Sequence, residues 1–191
     1  MKEVHQIQLL QHRIVSNGDE TSFRQLFILL AVPLKQFAYT ITHSKEQAEE
    51  IVEDVFINLW QNRSAVAAIK NLKVYLYVAT KNTALNYLRK KNGQPHHDIL
   101  DFGHVEIAAD DPNPEQIYIT SEMRRRIDAA VVQLPPKCKL IYKMAKEDRL
   151  RYREIAHILN ITVKTIDNQL AIALKKISEA IHFKQVKVGK K

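Results

Sequence analysis

Glycine and proline are scarce, 4 and 6 among 191 residues. A sheet-rich fold with many tight turns draws heavily on both, so the composition argues against one and favours a mostly helical, all-α chain. A single cysteine, Cys138, excludes a disulfide framework and any multi-cysteine metal site, and it fits a reducing cytoplasm. The start, MKEVHQIQLLQHR, has no continuous apolar stretch, so no signal peptide is expected. The longest apolar run, Leu26 to Leu34, is interrupted by Pro33. It falls far short of the ~20 residues a membrane span needs, and no membrane insertion is expected. Catalytic signatures are missing as well: there is no phosphate loop, no GxSxG and no HExxH. The chain reads as no enzyme, with no cofactor.

Charge is divided unevenly. Residues 1–92 are net +4, residues 93–114 are −5 without one Lys or Arg, and residues 115–191 are +9, giving +8 for the chain. Basic domains favour polyanions through counterion release, which makes nucleic acid the leading partner class. Solubility alone would also account for a net charge of this size.

The stretch NGQPHHDILDFGHVEIAADDPNP holds two of the four glycines and three of the six prolines and shows no sustained helical period. It reads as a flexible acidic linker, residues 93–114, between a domain at 1–92 and another at 115–183. A basic tail, 184–191, is expected to fray. His96, His97, Asp98 and His104 could be imagined as metal ligands, but a flexible linker offers them no fixed geometry, and a solvated loop is the better reading.

In the first domain, Asn17-Gly18-Asp19 breaks an N-terminal helix. A second helix over 21–42 carries Phe23, Leu26, Phe27, Leu30, Leu34 and Phe37 at helical spacing, with Pro33 a bend. Ser44, with Gln47 three residues on, has the capping-box pattern. Ala48, Ile51, Val52, Val55, Phe56, Leu59 and Trp60 then form a buried stripe. Opposite lie Glu46, Glu49, Glu50, Glu53 and Asp54, a face that would repel DNA; the residues alone favour a solvated surface there. A helix over 72–91 has Val74, Val78, Leu85 and Leu88 as its expected core stripe. Tyr75, Ala79, Asn82, Asn86 and Arg89 line another face, with Lys73, Lys81, Lys90, Lys91, Tyr77 and Tyr87 adding cations and rings. Such interleaving suits single-stranded DNA, although tyrosines on amphipathic helices are more often core.

In the second domain, helices are expected at 114–133, 136–147, 151–159 and 163–182. The sharpest signal is RYREIAHILNITVKTIDNQLAIALKKI. Ile155, Ala156 and Leu159 give its first helix a buried face, Asn160-Ile161 makes a tight turn, and Thr162 can cap the next helix. That helix is expected to bury Ile166, Leu170, Ala173, Leu174 and Ile177. It would expose Lys164, Thr165, Asp167, Asn168, Gln169, Ala171, Ile172, Lys175 and Lys176. Asn and Gln can pair bidentately with adenine, Ile172 or Ala171 can touch a thymine methyl, and lysines can anchor phosphates. DNA reading by a helix-turn-helix is favoured over an arbitrary hairpin. Cys138, after Pro135-Pro136-Lys137, reads as a buried small hydrophobe rather than a nucleophile.

At these residues the chain resembles a bacterial sigma factor of the sigma-70 family, extracytoplasmic-function type. AEEIVEDVFINLWQNR resembles the helix that grips the RNA polymerase clamp, and NLKVYLYVATKNTALNYLRKKN the −10-reading, promoter-melting helix. The stretch from LPPKCKLIYKMAKEDRLRYREIAH onward resembles the −35-reading domain. The resemblance spans about residues 20–183, in family order. It implies a domain-2-like bundle, a domain-4-like helix-turn-helix, and no further domain after 183. It implies polymerase binding by Glu49, Glu50, Glu53, Asp54, Asn58 and Gln61. For the −10 element and melting it implies Lys73, Tyr75, Lys81, Asn82, Asn86, Arg89 and Lys90, with Asn82 close to a flipped base. For the −35 element it implies Arg153, Thr162, Lys164, Thr165, Asn168, Gln169, Ile172, Lys175 and Lys176. Asp167 and Ala171 depart from residues common in relatives, so no target sequence transfers. The linker would thread polymerase near nascent RNA. The implied partners are core RNA polymerase, promoter DNA and an anti-sigma factor, in the cytoplasm. The rival readings are a helix-turn-helix regulator acting without polymerase and, from another class, a helical interaction protein or an enzyme using the linker histidines.

Overall fold

The computed structural model describes residues 2–92 and 121–188; the expected linker, 93–114, and its histidines lie outside the described residues. Among the described residues, eight α-helices run in the order α1 (Lys2–Asn17), α2 (Glu20–Thr42), α3 (Lys45–Gln61), α4 (Leu72–Asn92), α5 (Ser121–Val132), α6 (Pro136–Lys146), α7 (Tyr152–Leu159) and α8 (Val163–Val188), with one short 3₁₀ turn, Ala65–Ala68. No strand occurs among the described residues. They form two compact units, α1–α4 and α5–α8.

In the first unit α2 is central and packs on α1, α3 and α4. It is long and apolar enough to cross a membrane by length and composition, yet half of its apolar stretch is buried within the unit. Leu26, Leu30, Leu34 and Phe37 of α2 and Ile51, Val52, Val55, Phe56 and Leu59 of α3 are all buried in this core. Boundaries follow local chemistry. Gly18 ends α1 at φ +59, with its N–H bonded to the Ile14 carbonyl, a backbone that residues with a Cβ adopt at a cost. Asp19 caps α2 by accepting from the Thr21 N–H at 2.9 Å and the Ser22 hydroxyl at 2.7 Å. The Ser22 hydroxyl, more than any other neighbour, holds the Asp19 carboxyl below its ordinary value.

Two long-range clasps tie α1 to the rest of its unit. The Gln11 amide donates to both the Val66 and Ile69 carbonyls, each at 2.8 Å, and Lys73 of α4 pairs with Glu3 at 2.6 Å. Both satisfy groups that would otherwise be partly desolvated without a partner.

Several expectations are corrected here. Ser44 does cap α3, accepting from the Gln47 N–H at 3.3 Å, but Gln47 does not reach back. The Ser44 N–H goes to the Thr42 hydroxyl, and Gln47 Oε1 is buried without a hydrogen-bond partner. The core face of α4 is Leu72, Leu76, Tyr77, Thr80 and Ala84, while Val74, Val78, Leu85 and Leu88 are half-buried at its flanks. Tyr77 is fully buried, its ring 5.2 Å from that of Phe37, so it adds no exposed ring. α8 runs to Val188, past the helix end expected at 182.

The second unit is built on α8, against which α5, α6 and α7 pack. Ala130, Val131, Leu134 and Cys138 cluster with Ala173 and Ile177, and Ile127 and Tyr142 pack against them. Ile155, Ala156, Leu159, Ile166 and Leu170 are buried as expected, Ile158 is buried beside them, whereas Leu174 is 49% exposed. On the helical wheel it sits at the rim of the buried stripe, beside Asp167 and Ala171, and the packed helices do not cover it.

Candidate functional site

Two surfaces gather the residues singled out by the sequence. On the first unit, α3 presents Glu49, Glu50, Glu53, Asp54, Asn58 and Gln61, all exposed, opposite its buried stripe. Glu49 is not open on every side: its carboxylate lies 3.3 Å from the Lys35 ammonium of α2. In the middle of this row stands Ile57, 53% exposed, which the sequence reading did not single out. Counting could have found it, since Ile57 lies four residues after Glu53, off the apolar stripe. The arrangement can receive a basic surface with an apolar centre. Nearby, Phe23, Phe27 and Trp60 line an open aromatic groove with Glu20 and Arg24, and the Arg63 guanidinium lies 5.0 Å from the Trp60 ring centre.

On α4, Tyr75, Asn82, Asn86, Arg89 and Lys90 are exposed on one continuous side, with Arg89 donating to Asn86 at 3.3 Å. Lys81 is half-buried, and Lys73 is engaged by Glu3. Tyr75, 45% exposed, is the ring that this row offers to solvent.

The second surface is a helix-turn-helix. At the head of α7, Glu154 accepts the Arg151 N–H at 2.7 Å, closing the first turn. Asn160 ends α7 in the left-handed conformation, φ 54 and ψ 47, which asparagine tolerates well. Thr162 then caps α8, its hydroxyl accepting from the Thr165 N–H at 3.1 Å and lying 2.9 Å from the Thr165 hydroxyl. The displayed side of α8 consists of Lys164, Asn168, Ile172 and Lys175, all exposed; Lys176 is exposed, and Thr165 and Gln169 are half-buried, on the flank toward α6. Arg153 is exposed on α7. Lys175 has Glu179 3.9 Å away, an exposed pair of little energetic weight. Gln169 is tied to α6, its Oε1 accepting from Cys138 Sγ at 2.9 Å.

Two family models match in this order: sigma-70 region 2 over residues 28–94 and sigma-70 region 4 over residues 124–177. The first covers α3 and α4 with most of α2, the second the helix-turn-helix. The chain belongs to the sigma-70 family. Curated relatives agree with that membership. The ECF RNA polymerase sigma factor SigW of Bacillus subtilis is 25% identical over 162 residues, covering 82% of this chain and 87% of the relative. The ECF RNA polymerase sigma-E factor of Escherichia coli is 23% identical over 173 residues, covering 87% and 90%. A solved chain shares the fold at TM-score 0.51 and 20% identity, over 88% of this chain and 98% of its own. It comes from the co-crystal structure of the sigma factor RpoE with the anti-sigma factor NepR from Bartonella quintana. As a sigma-70 family member, the chain has its role in transcription initiation.

Proposed function

We propose that the chain binds core RNA polymerase, directs it to a set of promoters and helps open the duplex, performing no bond chemistry itself. The observation that carries this reading is the pairing, on one chain, of an exposed carboxylate row on α3 with a displayed helix-turn-helix face on α8. Carboxylates repel phosphates, so α3 suits a basic protein surface, while Ile57 gives that contact an apolar centre. Glu50, Glu53, Asp54, Asn58 and Gln61, with Glu49, are the proposed polymerase anchor.

On α4, Tyr75 would stack on an unpaired base and Asn82 would read one drawn out of the duplex, with Asn86 beside them. Arg89, Lys90, Lys81 and Lys73 would hold phosphates. On α8, Asn168, Gln169 and Ile172 would meet base edges, and Lys164, Lys175, Lys176 and Arg153 the backbone. The domains assigned are residues 1–92, linker 93–114 and residues 115–183, with a basic tail at 184–191. The protein would work in the cytoplasm, where its polymerase is, and an anti-sigma factor like the one bound to the solved relative would hold it inactive.

Run-off transcription decides the matter. Core polymerase with this protein should transcribe a subset of genomic fragments that core alone does not. Tight, sequence-specific duplex binding without core, and no run-off gain with it, would instead support a polymerase-independent regulator. In permanganate footprinting, Asn82→Ala should reduce melting more than it reduces duplex association.

A further inference from the structure

Gln169 lies next to Asn168 on the displayed helix, but its carboxamide is not open at both ends. Oε1 accepts from Cys138 Sγ, 2.9 Å away on α6. Cys138 is 3% exposed, packed with Leu134, Ala173 and Ile177. A thiol can donate only while it keeps its proton, and burial, the largest influence on this one, pushes it upward against the weaker pull of Lys176. A carboxamide oxygen is a far better acceptor than a thiol sulfur, so the pair is satisfied with Oε1 toward α6 and Nε2 toward the displayed face.

This has a consequence for base reading. Bidentate pairing of Gln with adenine needs Oε1 to accept from N6 while Nε2 donates to N7. With Oε1 turned toward α6 to meet Cys138, the end of the carboxamide left to the displayed face is Nε2 with its two N–H groups, and Oε1 and Nε2 cannot both face one base edge. Guanine offers two adjacent acceptors, O6 and N7, and no donor on that part of its edge.

We propose that Cys138 is a positioning residue for promoter recognition: by holding Gln169 Oε1 it makes Gln169 a donor-only reader that selects guanine over adenine at one −35 position. This rests on the reading of α8 as the −35 helix.

The test uses the full chain with core polymerase and a duplex set in which each −35 position carries each base in turn. Gln169→Ala should flatten the preference at one position, and there the parent protein should favour guanine. Cys138→Ala should shift the guanine-to-adenine ratio at that position by about tenfold toward adenine, with other positions unchanged. Cys138→Ser, which keeps a donor, should restore the parent preference. If Cys138→Ala does not fold, Cys138→Val takes its place. A readout without DNA is available because the chain has one cysteine: its S–H stretching band should move to the free-thiol position in Gln169→Leu. An unmoved band, or an unshifted ratio in Cys138→Ala while Gln169→Ala does flatten one position, overturns the positioning role alone. If Gln169→Ala flattens no position while Asn168→Ala does, Gln169 reads no base and this proposal fails alone; if neither flattens one, the −35 reading of α8 fails, and this proposal with it.

Discussion

The two units bind their own candidate recognition residues by different means. In α1–α4 the internal partners are charges: Glu3 engages Lys73 and Lys35 engages Glu49. In α5–α8 the corresponding bonds run mainly through neutral groups, Thr162 to Thr165 and Cys138 to Gln169. The more exposed Lys35–Glu49 pair is worth only about 0.2–1 kcal/mol, so an incoming partner can exchange it cheaply, whereas Lys73 is more enclosed beside Glu3. The Cys138–Gln169 bond, made from a buried thiol, fixes direction instead. On these internal bonds the first unit holds its recognition residues by charge and the second mainly by direction.

Breaking that contrast starts with charge reversal at Glu53 and Asp54 together. Affinity for core polymerase should fall about a hundredfold, with circular dichroism unchanged, since close interfacial charge pairs couple by roughly 1.5–7 kcal/mol each. Glu49→Lys should cost less, because Glu49 already has an internal partner; equal losses in a pull-down titration would undo the distinction. Next in size, Asn168→Ala should cost about 1–3 kcal/mol and relax preference at one −35 position. Lys175→Ala should weaken every sequence alike and lower the salt slope by about one. Competition across duplex variants and salt separates the two behaviours.

Smaller again is Thr162→Ala, expected to lower stability by about 1 kcal/mol in thermal unfolding of the full chain, through loss of the α8 cap. The least effect belongs to Asp19. Folding favours its ionised form, holding the carboxyl below the ordinary 3.8. Its contribution is therefore complete above that value and disappears as pH falls through the lowered one. Stability curves of Asp19→Asn and the parent should accordingly converge under acid, and a gap that widens there would reverse the assignment.

The sequence made the helices legible wherever a single apolar face was unambiguous. The stripe of α3, the Ser44 and Thr162 caps and the Asn160 turn are all found where spacing and residue chemistry put them. α4 was misread because apolar residues lie nearly all round it. Periodicity could not choose between Val74–Val78 and Leu76–Tyr77, and only packing on α2 and α3 selects the latter. Leu174 shows the same limit, since the rim of a stripe is settled by how far neighbouring helices reach. The α3 row could be marked from sequence, but Ile57 within it required seeing which apolar residue the core omits. Cys138 to Gln169 was not legible, because the bond joins residues 31 apart through a packed interface.

The Gln11 clasp bears also on synthesis. Its acceptors lie 55 and 58 residues downstream, and the Glu3–Lys73 pair spans 70. At about 5–20 residues per second, α1 is synthesised roughly 3–14 s before those partners. During that interval α2 is the neighbour available to cover Ile7, Leu10 and Ile14, so the nascent chain exposes part of an apolar stripe that the finished protein hides.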